Sequence, residues 1–451
     1  MHCKRWLAAS CCALALAAPA AAVTVDLDQA VELALQADPR ISEREHLVEA
    51  ARALLQEAVG SDGLFLDLDA FLALSPGVDD GFFNTGKTCN SPCKVNDDGM
   101  DGVSPWANVQ FKLIKPLLTF GKIESYAEAA QGNVDVKRGD VRLQRIETRM
   151  QVSKAYYGYL AARNGRELLE DVDARVNKAI NLVQRWIEEG TGNAKQSDLF
   201  AMQTGRGLLR KALAQARAIE QIALAGLRLL TGIPANEPLE VAERNITAVP
   251  LPIGSLEELQ AKALVERTEI DQLEAGLRAR RALVEAKRAE MRPNVYAGVV
   301  GSLAWSPERE TLDSPYVHDP FNHAGASPVV GMQWRWAGNV QQARIAQAEA
   351  ELNALVDKQS FARAGIPFEV TERYHQVLAN QSAVEELAQA SRAGRRWMLT
   401  SYADFEAGIE RSERVIAAFQ GYVLAHTDYL ASLNDYNMEV AELLRVSGSY
   451  R

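Results

Sequence analysis

Residues 105–232 of this chain occur twice. Shifting the numbering by 217 carries Gly121 onto Gly338, Leu117 onto Trp334, Thr119 onto Trp336 and Tyr157 onto Tyr374. Past the Gly-rich turn Gly190-Thr191-Gly192-Asn193 the shift becomes 216, which carries Gly232 onto Gly448. A third shift, 229, relates Leu27 to Leu256, Leu35 to Leu264 and Ile41 to Ile270, so the repeat covers nearly the whole chain. Constant offsets broken only at loops mark an internal duplication, and whatever unit the chain builds it must build twice. The unit reads as helix, strand, strand, long helix, tight turn and return helix.

Asp26 stands before an apolar-periodic run with Gln29 three residues on, the signature of a capping box, and Ser255 begins the second copy. Pro39 bends or restarts the first helix, which runs to about Val59. Four segments then alternate apolar and polar: 64–74, 105–117, 294–304 and 326–336. In the first, Leu64, Leu66, Leu68, Leu72 and Leu74 share one face while Asp67 and Asp69 take the other. In the second, Ala107, Val109, Phe111 and Leu113 oppose Asn108, Gln110 and Lys112; in the fourth, Val330, Met332, Trp334 and Trp336 oppose Gly331, Gln333 and Arg335. Period-two patterning of this length suits the wall of a transmembrane β-barrel, and equally a half-buried soluble sheet.

The helical runs Lys122–Glu188 and Asn339–Phe405 would each be on the order of 100 Å long at ~1.5 Å per residue. In the last helix Val415, Tyr422, Tyr429, Tyr436 and Leu443 recur every seven residues, with Phe419, His426, Leu433 and Val440 four further on, a coiled-coil seam. Gly365-Ile366-Pro367 predicts a kink inside the second long helix. Residues 233–254, rich in Pro and Gly, connect the halves.

The chain opens with Lys4 and Arg5, an apolar run to Ala18 and Ala20-Ala21-Ala22, which reads as a secretory signal peptide (1–22) cleaved after Ala22; a lipoprotein modified at Cys11 is the alternative. Losing those two basic residues takes the formal charge from −10 to −12, unsuited to nucleic acid because nothing would neutralise phosphates. Only Cys89 and Cys93 remain after cleavage, and in an exported loop they read as a disulfide rather than a metal site. No run approaches the roughly 18 consecutive apolar residues of a membrane helix, so a membrane location would have to use strands.

With the run Leu27-Asp28-Gln29-Ala30-Val31-Glu32-Leu33-Ala34-Leu35-Gln36-Ala37-Asp38-Pro39, the turn Pro116-Leu117-Leu118-Thr119-Phe120-Gly121-Lys122, Ala155-Tyr156-Tyr157, Gly192 to Leu199 and the closing Leu443-Leu444 with Gly448, the chain resembles the TolC-like outer-membrane efflux and secretion channels. The resemblance implies a mainly α protein with a β-barrel portion: a homotrimer, each subunit giving four strands to a twelve-stranded barrel and its coiled-coil helices to a periplasmic tunnel. It implies an outer-membrane site in a Gram-negative bacterium, a passive exit duct for efflux or type I secretion, and two partners, an inner-membrane transporter and a periplasmic adaptor. The chain then divides into a first repeat (23–232, outer loop 75–104, hairpin 122–232), the connector and a second repeat (255–451, outer loop 305–325, hairpin 339–448). Asp67, Asp69, Asn108, Gln110 and Lys112 would face the lumen, and Leu66, Leu68, Leu72, Phe111, Val330 and Trp334 the lipid.

At the periplasmic mouth, Glu188, Glu189 and Asp198 stand against Lys195, and Asp404, Glu406, Glu410 and Glu413 against Arg411 and Arg414. Three subunits would gather a formal −12 there, with Glu406 and Glu410 foremost, and favour cations. Where the family often repeats the acidic residue of Asp198 in the second tip, this chain has Arg414.

Three motifs carry no chemistry on this reading. Gly81 to Thr88 spells a phosphate loop, but Cys89-Asn90-Ser91-Pro92-Cys93 follows where a helix is required. Asn96 to Asp101 lacks calcium-loop spacing, and His318 and His323 lack a third metal ligand. No catalytic constellation stands out, so the chain reads as a non-enzyme without cofactors. A structural coiled-coil or adhesin-like envelope protein is the rival reading; it accounts for the helices but not for the strands.

Overall fold

The computed structural model describes residues 23–76, 102–191, 194–251, 254–309, 311, 316 and 318–450. The leader, Cys89 and Cys93, the phosphate-loop match and the acidic loop 96–101 lie outside them. The elements run β1 (Val23–Val25), α1 (Leu27–Ala37), α2 (Pro39–Gly60), β2 (Phe65–Pro76), β3 (Val103–Leu118), α3 (Lys122–Glu189), α4 (Gln196–Thr231), β4 (Leu239–Val241), α5 (Leu256–Glu266), α6 (Thr268–Ala289), β5 (Asn294–Trp305), β6 (His323–Gln333), α7 (Asn339–Glu406) and α8 (Ser412–Val446). They fall into two compact units. One holds the chain up to His46 with Arg138–Asp271 and Phe361–Arg451; the other holds Leu47–Lys137 and Gln272–Ser360.

The second unit is organised on one antiparallel sheet of order β2-β3-β5-β6. Its prolines sit where the ladder allows. Pro105 pairs only with Leu74, Pro116 only with Tyr296, and Pro328 lies on the edge strand β6. Pro has no N–H to donate, so it is tolerated where a strand has one neighbour only.

The fourth strand differs from the sequence expectation of 326–336. It begins at His323 and ends at Gln333, which pairs with Asn294, the first residue of β5. Pro293 precedes Asn294, so the partner strand ends there and Trp334 and Trp336 lie beyond the ladder. Each pair of strands hands over to a long helix through a left-handed turn. Phe120 and Gly121 have φ of 54° and 82°, and Gly338 has 48°; Gly adopts such values freely, whereas Phe120 holds its own against the preference of a residue with a Cβ.

In the first unit both repeats start with the same box. Asp26 Oδ1 accepts from Gln29 N at 2.8 Å and Asp26 N donates to Gln29 Oε1; Ser255 Oγ and Glu258 reproduce it. Both repeats also end alike. Gly232 and Gly448 have φ of 70° and 75°, and a Cβ on them would lie 2.8 Å from Ala37 Cβ and 3.0 Å from the Glu266 carbonyl carbon. Ala37 and Glu266 are themselves counterparts at the 229 offset, so in each repeat the last helix closes against the end of the first.

Between α1 and α2, and again between α5 and α6, a bidentate ion pair two residues apart holds the break, with its signs exchanged. Asp38 accepts from Arg40 Nε and Nη2 at 3.0 and 2.8 Å; Arg267 donates to Glu269 at 3.4 and 2.9 Å. The surroundings decide which sign is buried. Thr148 donates to Asp38, whereas Glu369 accepts from Arg267. Burial raises the Asp38 and Glu269 carboxyls, but hydrogen bonds from the paired arginines outweigh it and hold both below their ordinary values.

Three-residue β1 and β4 pair in parallel, an element the sequence did not announce. The connector after them is gripped as if between two strands. Asn164 Oδ1 accepts from Ile246 N and its Nδ2 donates to Arg244 O; Asn437 Oδ1 accepts from Val249 N and its Nδ2 donates to Thr247 O. Pro367 lies inside an α7 that continues unbroken, and its carbonyl accepts from Thr371 Oγ1 and Gln260 Nε2. Two buried clusters fill the unit, one around Tyr156, Leu227, Leu433 and Val370, the other around Val183, Met398, Phe405 and Val415.

Candidate functional site: the two-faced sheet and the hairpin tips

Register fixes which side chains share a face, because directly paired residues point the same way. Leu66 pairs with Leu113, Leu68 with Phe111 and Leu72 with Ala107; across β3 and β5, Val109 pairs with Leu303 and Leu113 with Val299. Val330 and Met332 continue this face through Ala297 and Val295. It is apolar and uncovered: Leu66 and Leu68 are 62% exposed, Leu72 79% and Val330 77%. Trp334, also exposed, lies past the end of β6, where its Nε1 donates to Met291 O at 3.1 Å.

On the opposite face Asp67 pairs with Lys112, Asp69 with Gln110 and Phe71 with Asn108. Asp67, Asp69, Gln110 and Lys112 are exposed, while Asn108 is buried. The alternation thus brings these five residues to one surface, though not into one cluster. The same face carries aromatic residues that the alternation does not explain. The Phe71 and Trp106 rings meet edge-on at 5.0 Å, Phe321 from the loop before β6 lies 5.0 Å from Trp106, and the Arg309 guanidinium stacks 3.7 Å over Phe321. Ser75, Ser104 and Ser306, all buried, close the strand ends with hydroxyl contacts of 3.0 and 2.9 Å. The odd positions of Phe71 and Trp106 among polar neighbours were the available signal for this cluster.

The hairpin tips are braced by Trp186 and Phe405, whose rings lie 5.1 Å apart. Of the acidic residues expected there, Glu188, Glu189 and Glu406 are exposed, and Asp404 and Glu410 half-buried. Asp198 and Glu410 have structural employment in their turns. Asp198 Oδ2 accepts from Lys195 N at 3.0 Å, capping α4, and Glu410 accepts from Arg411 N and from Arg414 at 3.2 Å. The backbone N–H of Arg411 is the main cause that lowers the Glu410 carboxyl. Burial, followed by the Glu406 carboxylate, pushes the Tyr402 phenol up to about 12. Arg414, which replaces the second acidic residue, therefore pairs within its own turn.

Among the described residues no group of three or more His, Cys, Asp or Glu could hold a metal ion, and no helix is long and apolar enough to cross a membrane. The chain thus combines an open sheet, with one uncovered apolar face and one polar face, and two long helical hairpins in a duplicated sequence. Residues 30–233 match the family described as outer membrane efflux protein. A membrane protein from Pseudomonas aeruginosa superposes with a TM-score of 0.75 at 18% identity, over 95% of this chain and 91% of that one. The Campylobacter jejuni CmeC outer membrane channel gives 0.76 at 13% identity over 94% and 85%. The open state of the Neisseria gonorrhoeae MtrE outer membrane channel gives 0.73 at 16% over 94% and 88%. At these identities the likeness is one of fold. No curated protein sequence matches the chain.

Proposed function

We propose that the chain is one of three identical subunits of a passive exit duct, which carries cargo handed over by an inner-membrane transporter and a periplasmic adaptor. The open sheet carries this reading. Edges β2 and β6 have no strand partner among the described residues, and unpaired backbone in lipid costs several kcal/mol per group. Four strands are half the number in the smallest bacterial barrels, so on this reading further copies complete the ring; the family resemblance supports three. On this reading Leu66, Leu68, Leu72, Phe111 and Val330 meet lipid, Asp67, Asp69, Asn108, Gln110 and Lys112 line a wet lumen, and the acidic tips form the periplasmic mouth. Such a duct works by shape and field rather than by catalysis, and serves efflux and type I secretion alike.

A structural coiled-coil protein or a periplasmic adaptor would have no use for a sheet with an uncovered apolar face. The test is fractionation with heat-modifiability: trimers in the outer-membrane fraction that dissociate only on heating in detergent, and that conduct in planar bilayers. Monomers in the soluble periplasmic fraction would overturn the proposal.

A further inference from the structure

His318 and His323 are a pair the duct does not require. His323 opens β6 and pairs with Ala304, which in turn pairs with Asn108, so His323, Ala304 and Asn108 form one rung of the polar face. His318, exposed in the preceding loop, brings its ring to 4.6 Å from that of His323, centroid to centroid. Ser302 lies one pleat along the same face, and its Oγ is 2.8 Å from His323 Nε2. With Nε2–H donating to that hydroxyl, the lone pair of the neutral ring sits on Nδ1, which is buried and has no protein partner. Asn108, only 5% exposed, carries an Oδ1 in the same condition. All four residues line one cleft of about 780 Å³, beside Trp106 and Phe71. Trp106 Nε1 is an unpaired donor in the same cleft, but the two acceptors, His323 Nδ1 and Asn108 Oδ1, mark a place for a group that brings positive charge or protons.

We propose that His318 and His323 form a binding site for a borderline divalent metal ion of the copper(II), nickel or zinc class on the polar face of the sheet. Imidazole suits these ions, and the absence of a carboxylate among the contributing side chains disfavours calcium and magnesium. Ser302 is the outer partner that fixes ring and tautomer, as metal-binding histidines usually require. The Asn108 carbonyl lies two strand spacings from His323, roughly 10 Å between backbones, and accepts a hydrogen bond from water on the ion rather than binding it directly. If the histidines merely pack against each other, the protein has no such affinity.

The experiment titrates copper(II) into full-length protein in detergent, purified without a polyhistidine tag and followed by electron paramagnetic resonance. The expected result is one copper ion per chain with the splitting of two imidazole nitrogens, displaced by zinc. His318→Ala removes an exposed side chain outside the sheet; it should weaken binding at least tenfold and reduce the count to one nitrogen. Asn108→Ala should weaken binding severalfold with both nitrogens retained, and His46→Ala should change nothing. A two-nitrogen spectrum that survives in the His318→Ala, His323→Ala double variant overturns the proposal, as does wild type that binds less than one copper ion per chain. Because the readout is binding, it is independent of whether the protein conducts.

Discussion

Arginine placed along β2 should report both the face and the depth of each position. The strand has twelve residues, about 40 Å of chain at ~3.3 Å each, and a tilt near 40° leaves about 30 Å along the membrane normal, the thickness of the hydrocarbon. With the strand midpoint, between Ala70 and Phe71, at the bilayer centre, Leu72 lies about 4 Å from it, Leu68 about 6 Å and Leu66 about 11 Å. Lipid-facing arginine costs about 2–4 kcal/mol at the centre and about 0–1 near the interface. Leu72→Arg should therefore cost about 3 kcal/mol per subunit, Leu68→Arg somewhat less and Leu66→Arg about 1. Asp69→Arg lies between them in sequence but pairs with Gln110 on the other face, and should cost under about 0.5 kcal/mol, like most surface changes. Asp67 is a poorer control because its register partner is Lys112, and like charges directly opposite repel. Denaturant titration of protein folded into vesicles measures each cost. Equal losses for Asp69→Arg and Leu72→Arg, or the largest loss at Leu66, would refute the assignment of faces.

Arg267 has a side chain only 7% exposed that serves both Glu269 and Glu369, so Arg267→Ala should cost about 3 kcal/mol in chemical denaturation. Arg40, 42% exposed, should cost about 1 kcal/mol on truncation, because Thr148 and a backbone N–H still serve Asp38. The Asp38 and Glu269 carboxyls lie below their ordinary values of 3.8 and 4.5; their contribution is therefore complete above those values and is lost as pH falls through the lower folded-state ones. Acid-unfolding curves should show this, and Arg267→Ala should flatten them. At the mouth, the reversal potential across a potassium chloride gradient should show cation preference that Glu406→Gln reduces more than Asp198→Asn, since Asp198 is committed to a helix cap; anion preference would remove the acidic mouth as the constriction. Cys89 and Cys93 should resist maleimide in intact, unreduced cells and react after reduction.

The parts of this fold that could be read in advance are those where identity was retained between the repeats. Gly121 and Gly338, and Gly232 and Gly448, mark the turns because a left-handed backbone selects Gly so strongly that both copies kept it. The ion pairs at 38/40 and 267/269 were invisible to the same comparison, since an exchange of sign looks like loss of a feature. Trp334 and Trp336 extended the alternation of β6 on paper, but a strand ends where its partner does, and Pro293 is not part of β6's own pattern. His323 read as loop for the converse reason, belonging to the ladder through Ala304 rather than through neighbours of its own. Three-residue β1 and β4 are too short to show any period. Asp198 looked like one more mouth carboxylate because its partner is a backbone N–H, which no side-chain pattern displays.

Asn164 and Asn437 grip the connector from helices of different repeats, yet neither has an asparagine counterpart: the matching positions hold Gln381 and Gln221. The joint between the halves is thus a part of the subunit that was not copied. A minimal protein made of a single repeat, assembled in twice the number, would inherit the caps, turns and strands but not this clasp. Its builder would have to invent a seam of another kind at every second boundary of the ring.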